Sequence, residues 1–429
     1  MGRCFDFSKH LFVFFRREID MKKTKTIKGI AIFLSAAISL NIINGAVRIA
    51  KVRYMDREPT VTEKTLRFNE DGRFKILQIA DLQDCVLFRD MSKDFLNYLL
   101  DTEKPDLVVL TGDNIGPGTS KTGDLMYLTI NEFMSIFEEK GVKVASVFGN
   151  HDGEDNAYDK DKQIELYKRY SCYVGSDTPE LSGSGTYNLP VLSSKSDKTA
   201  FNLWFFDSGE RNDENDLGGY GCVHKDQIDW YVKTEKAITK ENGGTPIPSL
   251  AFQHIILPEV FDVLTKVENP EDKKYEGKFL ADRNGEYYAF PDEYTDEDTY
   301  FSETPCPPMY SNGQADAFIE NGKVLGVAVG HDHKNSFVIP YKGLDIIQSP
   351  ASSFGSYGDM NRGARVIVLD ESDLSTYETD VIFMKDVFDM DDPAVYYRYV
   401  MNSEGGNMNI PETLKAAFKF AGEKIKGIF

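Results

Sequence analysis

Closely spaced cysteines are missing from this chain of 429 residues, and so is any surplus of positive charge. The five cysteines, Cys4, Cys85, Cys172, Cys222 and Cys306, show no paired spacing, which excludes a zinc ribbon and a CxxC redox motif. A domain of this size needs no disulfide to fold, although export would permit one or two. Lys and Arg number 49 against 69 Asp and Glu, for a net charge of -20. Binding to a polyphosphate backbone depends on Lys and Arg, so no nucleic-acid partner is expected. Internal repeats are also absent, and long hydrophobic runs are confined to one stretch near the N-terminus.

In that stretch Lys22, Lys23, Lys25 and Lys28 precede an apolar run over 29–47, which Arg48 and Lys51 close. A basic flank before an apolar run reads as an export signal or a single membrane anchor over 21–50. The retained and cleaved forms both stay open. Residues 1–20 are unlike the start of such a segment, and Met21, followed by Lys22 and Lys23, is the better initiator. The expected location is therefore outside the cytoplasm, secreted or anchored at the outer face of the membrane. Membrane association, if any, would run through this segment.

Beyond it, short apolar runs alternate with amphipathic stretches. The runs 74–80, 106–110 and 142–148 read as buried strands. Between them, Phe95, Tyr98 and Leu99, and then Met126, Ile130, Phe133, Met134 and Phe137, recur at helical spacing. This is a βαβαβ pattern with parallel strands. Further strands are expected at 201–206, 249–252, 324–329, 337–340, 344–347, 365–369 and 381–384, with helices at 226–237 and 258–267. The fold class expected is α/β, a two-sheet αββα sandwich forming one catalytic domain over 70–390. Residues 153–189 should loop over the site. The acidic stretch 268–300 should be a solvated surface excursion. The tail, 391–429, carries a helix candidate at 414–428.

What the chain does hold is a series of metal-ligand residues at strand ends: Asp81-Leu82-Gln83, Gly112-Asp113, Gly149-Asn150-His151-Asp152, Gln253-His254 and Gly330-His331-Asp332-His333. These segments contain four of the six histidines. Carboxylate and amide oxygens with imidazoles suit hard-to-borderline metals such as Mn, Fe, Zn or Mg. Open α/β sheets place their ligands at the carboxyl ends of strands, where all five segments fall.

In order and spacing the series resembles the calcineurin-like metallophosphoesterase superfamily. The stretches at 203–209 (LWFFDSG), 251–255 (AFQHI), 330–337 (GHDHKNSF) and 352–365 (SSFGSYGDMNRGAR) are similar to its purple-acid-phosphatase-related branch. The resemblance implies a metallophosphoesterase sandwich with two divalent or trivalent ions. The first would be held by Asp81, Asp113 and His333, with Gln83 in a slot usually filled by histidine. The second would take Asp113, Asn150, His254 and His331, making Asp113 the bridge. It implies hydrolysis of phosphate esters, monoesters ahead of diesters, by a metal-bridging hydroxide. His151 would be the general acid and Asp152 its orienting partner. Gly116 stands where purple acid phosphatases carry their tyrosine ligand, so no tyrosinate colour and no locked ferric ion are implied. Asn335, Arg362 and Arg365 could contact phosphate or pin turns. The departure at Gln83 leaves a second reading open, that of a catalytically weak, surface-anchored binding protein.

Overall fold

Successive side chains of a strand point to opposite faces, so the continuous apolar runs of the central strands bury both faces of each sheet. The protein, seen here as a computed structural model, is described over residues 61–84, 89–211, 219–268 and 275–402. The first half runs β1 (Leu66–Arg67), β2 (Arg73–Ile79), α1 (Asp90–Glu103), β3 (Leu107–Thr111), α2 (Gly123–Lys140) and β4 (Lys143–Val147). There follow α3 (Lys160–Tyr167), β5 (Tyr187–Leu192), β6 (Thr199–Phe205), α4 (Lys225–Glu241) and β7 (Pro248–Phe252). An excursion holds α5 (Val260–Val263), β8 (Thr265–Val267), β9 (Tyr275–Glu276), β10 (Tyr287–Ala289) and β11 (Tyr300–Phe301). The chain continues with α6 (Gln314–Asn321), β12 (Lys323–Val329), β13 (Asn335–Tyr341) and β14 (Leu344–Gln348). It closes with β15 (Gly363–Asp370), β16 (Glu378–Phe383), α7 (Met384–Val387) and α8 (Pro393–Asn402).

Two sheets result. One has the order β16-β15-β2-β3-β4, and the other β1-β5-β6-β7-β12-β14-β13-β11. Strands β2, β3 and β4 are mutually parallel, as are β6, β7, β12 and β14. Phe74, Ile76, Leu107 and Val109 of the first sheet meet Leu203, Phe205, Leu250 and Phe252 of the second in a shared core. The alternate residues Leu77, Ile79, Val108 and Leu110 pack outward with Phe95, Phe133 and Phe137 of α1 and α2. On the opposite side Trp204, Ala251 and Val327 pack with Tyr231 of α4 and Phe318 of α6. Four layers, αββα, are the outcome, as the sequence pattern predicts.

Local chemistry sets the helix limits. Thr122 starts α2 by accepting from Leu125 N at 3.2 Å, and Gly141 ends it in the left-handed region at φ 66°.

Several expectations need correction. The helix expected at 258–267 is the single turn α5, after which β8 pairs with β10. Val263 and Val267 fit either periodicity, and cross-strand hydrogen bonding decides for a strand. Residues 153–189 are not all loop: α3 buries Ile164 and Tyr167 against the α2 side of the core. Nor is 268–300 merely a solvated excursion, because Leu280 and Tyr288 are buried in the α4–α6 core. The strands β8, β10 and β9 form their own small sheet. At the C-terminal side α8 returns to α1, where Arg398 pairs with Asp90 and Asp94. Among the described residues no helix is long and apolar enough to cross a membrane. The leader at 1–20, the signal or anchor at 21–50 and the helix candidate at 414–428 lie outside the described residues.

Candidate metal centre

Five strand ends converge between the two sheets. Asp81 and Gln83 follow β2, Asp113 follows β3, Asn150 follows β4, His254 follows β7, and His331 and His333 follow β12. The backbone there is forced: Asp81, Gln83, Asp113 and His331 all have positive φ, at 54°, 41°, 49° and 73°. Each such residue costs about 1–3 kcal/mol, a strain that concentrates where function demands it. The glycines ahead of the polar residues permit close approach. A Cβ on Gly149 would collide with Asp113 Oδ1, and one on Gly112, whose φ is +91°, would lie 2.7 Å from His254 Nδ1.

Three groups of potential ligand atoms form among the described residues; Asp113 belongs to two of them, and the third is Cys306, His331 and Asp332. In one, Asp81, Asp113 and His333 each place a donor atom within 4.8 Å of the others. His333 Nε2 is 3.4 Å from Asp81 Oδ1. Gln83 Nε2 donates to Asp113 Oδ2 at 2.9 Å and lies 3.3 Å from His333 Nε2. The second group is Asp113, His254 and His331. Here His254 Nε2 is 3.3 Å from Asp113 Oδ2, 3.2 Å from Asn150 Oδ1 and 3.2 Å from His331 Nδ1. His254 Nδ1 donates to the carbonyl of Thr111 at 2.9 Å, which fixes the tautomer and aims Nε2 inward.

Electrostatics favour a cation. Asp81 and Asp113 are fully buried, and among the described residues no Lys or Arg pairs with either. A buried carboxylate is costly unless paired, and the cationic partners beside these two among the described residues are imidazoles. Asp81 Oδ1, His331 Nε2 and His333 Nδ1 are buried with no hydrogen-bond partner. Burial pushes the Asp113 carboxyl up, yet His254 and then His151 hold it well below the usual range. Burial opposes charge on His254, but Asp113 beside it raises its pKa to about 9. The charge and donor types thus fit divalent cations on either side of Asp113.

His151 stands at the mouth, half-buried, with Nε2 3.9 Å from Asp113 Oδ2 and its backbone N–H bonded to Asp113 Oδ1 at 2.7 Å. Asp152 does not orient it. The Asp152 carboxylate accepts from the backbone N–H groups of Asn114, Ile115 and Gly149 at 2.9, 3.1 and 2.7 Å, which ties the β3 and β4 loops together. Burial, reinforced by Asp113, raises its pKa to about 7. The group beside His151 Nδ1 is Glu154, with Oε2 at 2.5 Å. The sequence signal for Glu154 is weak, a carboxylate three residues past a histidine in a turn.

Other residues were less legible still. A cavity of about 370 Å³ beside His151 is lined by Glu154, Glu210, Arg211, Tyr220 and Phe279. Tyr220 stands edge-on to His331 at 4.3 Å, and Tyr357 lies over His333 at 4.1 Å. The three candidate phosphate contacts are turn and sheet pins instead. Arg362 donates to the carbonyls of Ser353, Ser356 and Asp359, and Arg365 to Gln348 O and three hydroxyls. Asn335 holds the backbone of Ser302 and Glu303.

An αββα sandwich with carboxylate and imidazole clusters at its strand ends defines a class of metal-dependent hydrolase folds. Within that class, the model of the calcineurin-like phosphoesterase family matches residues 74–335, and the chain belongs to this family. It is 26% identical over 343 residues to a protein named probable inactive purple acid phosphatase 29 from Arabidopsis thaliana, covering 72% of this chain and 80% of that one. It is 25% identical to the phosphatase DCR2 of Saccharomyces cerevisiae, over 64% of this chain and 46% of that one. A dimetal phosphatase of known structure from Danio rerio aligns at 13% identity with a TM-score of 0.43, over 72% of this chain and 98% of that one.

Proposed function

We propose that this chain is a dinuclear metal-dependent phosphoesterase acting on phosphomonoesters. The observation that carries the reading is the sharing of buried Asp113 by two ligand clusters that lack a lysine or arginine countercharge among the described residues. Asp81, Gln83, Asp113 and His333 would hold one ion, and Asp113, Asn150, His254 and His331 the other. Manganese, iron, zinc and magnesium all suit these donors. Such ions polarise phosphoryl oxygens and lower the pKa of water from 15.7 towards about 7, which makes a nucleophile available near neutrality.

The chain's own residues do the rest. Asp113 joins the two halves of the centre, while Thr111 holds His254 in the tautomer that presents Nε2. Asn150 lines the cavity mouth beside His151. His151, with Nε2 on the Asp113 side, is placed to give a proton to the departing oxygen. The location proposed remains extracellular or at the outer membrane face, on the strength of the 21–50 segment.

Metal analysis of the purified chain, coupled to a panel of aryl phosphate monoesters and diesters assayed with Mn, Zn, Fe and Mg, tests the reading. Hydrolysis with about two metals per chain is expected; a diester preference would move the substrate class and leave the centre intact. His151→Ala should lower turnover by about 10²–10⁴-fold with metal content unchanged. Asp113→Asn should lose both metals, and full occupancy in that variant would sink the bridging assignment.

Gln83 favours a second reading. Its amide nitrogen faces the Asp113 and His333 donors, and relatives carry the word inactive in their names. A binding protein with a weakened centre would hold metal yet hydrolyse none of the panel.

A further inference from the structure

His151 is the one proposed catalytic side chain that no metal would anchor. Its side chain is 31% exposed, so the ring needs a partner to stay aimed at the centre. Asp152, next in sequence, is consumed by three backbone N–H groups. Glu154 is differently placed. Its Oε2 meets His151 Nδ1 at 2.5 Å, and its Oε1 faces Arg211 Nη2 at 4.0 Å across the mouth of the cavity. The backbone of Glu154 is held independently, by N–H donation to His151 O at 3.1 Å and acceptance from Gly118 N at 3.0 Å. Changing its side chain therefore leaves the turn in place.

We infer that Glu154 is the positioning residue for His151: it grips Nδ1–H, keeps the ring from turning, and thereby makes Nε2 the atom that serves the leaving oxygen. This rests on the reading of His151 as the general acid. As water oxygen bonds to phosphorus, the bond to the leaving oxygen breaks, and the released electron pair takes the proton from Nε2. The ring is left neutral with Nδ1–H still bound to Glu154, which neither gains nor loses a proton. A carboxylate also stabilises the imidazolium before the transfer, through a charge-assisted hydrogen bond stronger than a neutral one.

Leaving-group dependence separates this role from a structural one. A dinitrophenolate departs without protonation, whereas an alkoxide cannot. With the metal-loaded protein, Glu154→Ala should lower kcat on an alkyl phosphate by about tenfold to a hundredfold, a fraction of the full acid contribution. It should leave the dinitrophenyl ester nearly unchanged, with KM and metal content unmoved. Glu154→Gln, which still offers an acceptor, should fall between wild type and the alanine variant. An equal loss on every ester, or none, would overturn the inference while His151→Ala keeps its own leaving-group dependence. If His151→Ala shows none, the acid reading fails first. A second readout needs no turnover: in the zinc-loaded protein, the hydrogen-bonded Nδ1–H signal of His151 in imidazole ¹⁵N spectra should disappear in Glu154→Ala. An unchanged signal would overturn the proposal with or without activity.

Discussion

Gln83 stands in the slot where the resemblance implies a histidine, and it is held at the candidate centre. Its head group lies within hydrogen-bonding reach of both Asp113 and His333, so it occupies the ligand side of the site and not a distant shell. Half a turn of the amide would present Oε1 in place of Nε2. An amide oxygen is a weaker donor than imidazole for borderline metals, so the first ion should be the more readily lost and should lean towards harder ions such as Mn or Mg. Gln83→His should therefore raise the affinity of the first ion by about 10–100-fold, the usual scale for adjusting one group around a metal. Titration of apo protein with zinc, followed by calorimetry, would show two tight steps in place of one tight and one weak; an unchanged weak step would count against Gln83 as the cause. Such residues were legible in the sequence because metal chemistry restricts donors to a few side-chain types at strand ends. The partner of His151 was not. Asp152 follows it directly, but β4 leads into a turn that aims Asp152 at backbone N–H groups and leaves Glu154 beside the ring.

At the scale of elements, all five strands of one sheet and β6, β7, β12, β13 and β14 of the other were legible to within a few residues, because continuous apolar runs bounded by Gly and Asp have few alternatives; the more polar or very short β1, β5 and β11 were not. The excursion after β7 was not legible. Its charge hides a minimal apolar set, Leu280 and Tyr288, that joins a core built mostly from residues distant in sequence. What the strands deliver is close approach of the loops at their ends, and glycine is the device. Gly149 follows β4 so near Asp113 that Gly149→Ala must displace the carboxylate. The expected cost is about 1–3 kcal/mol in stability, as for other overpacked sites, with loss of metal alongside. Gly243 provides the control. It has φ +73°, and a Cβ there would meet nothing within 4 Å, so Gly243→Ala strains the backbone without touching the centre. Denaturant unfolding together with metal analysis should show both variants weakened but only Gly149→Ala depleted of metal. Retention of two metals in Gly149→Ala would show that the β3 and β4 loops can give way.

For the whole molecule, the acidic excursion is a wall that joins the two sheets. Strand β11 pairs with β13 of the large sheet, Phe290 and Phe301 pack on Phe337, and Phe279 reaches the cavity. On the other side Asp298 Oδ2 accepts from Val381 N of β16 at 3.0 Å. There it meets Asp380, while Arg365 lies beneath and offsets part of the repulsion, with Asp296 also near. Burial first and Asp380 second raise the Asp298 pKa from 3.8 to about 6. A carboxyl whose pKa rises on folding contributes stability that is complete below its unfolded value and is lost as pH climbs through the folded value. The seam between the excursion and the five-stranded sheet should thus be tightest near pH 4 and should loosen across pH 6, where Asp298 ionises against Asp380. Replacing Asp380 by Asn removes the repelling charge but keeps a polar group of the same size. Thermal unfolding at fixed metal should then show Asp380→Asn raising the midpoint at pH 8 more than at pH 5. An equal change at both pH values would mean that Arg365 already neutralises the pair and that the seam carries no pH dependence.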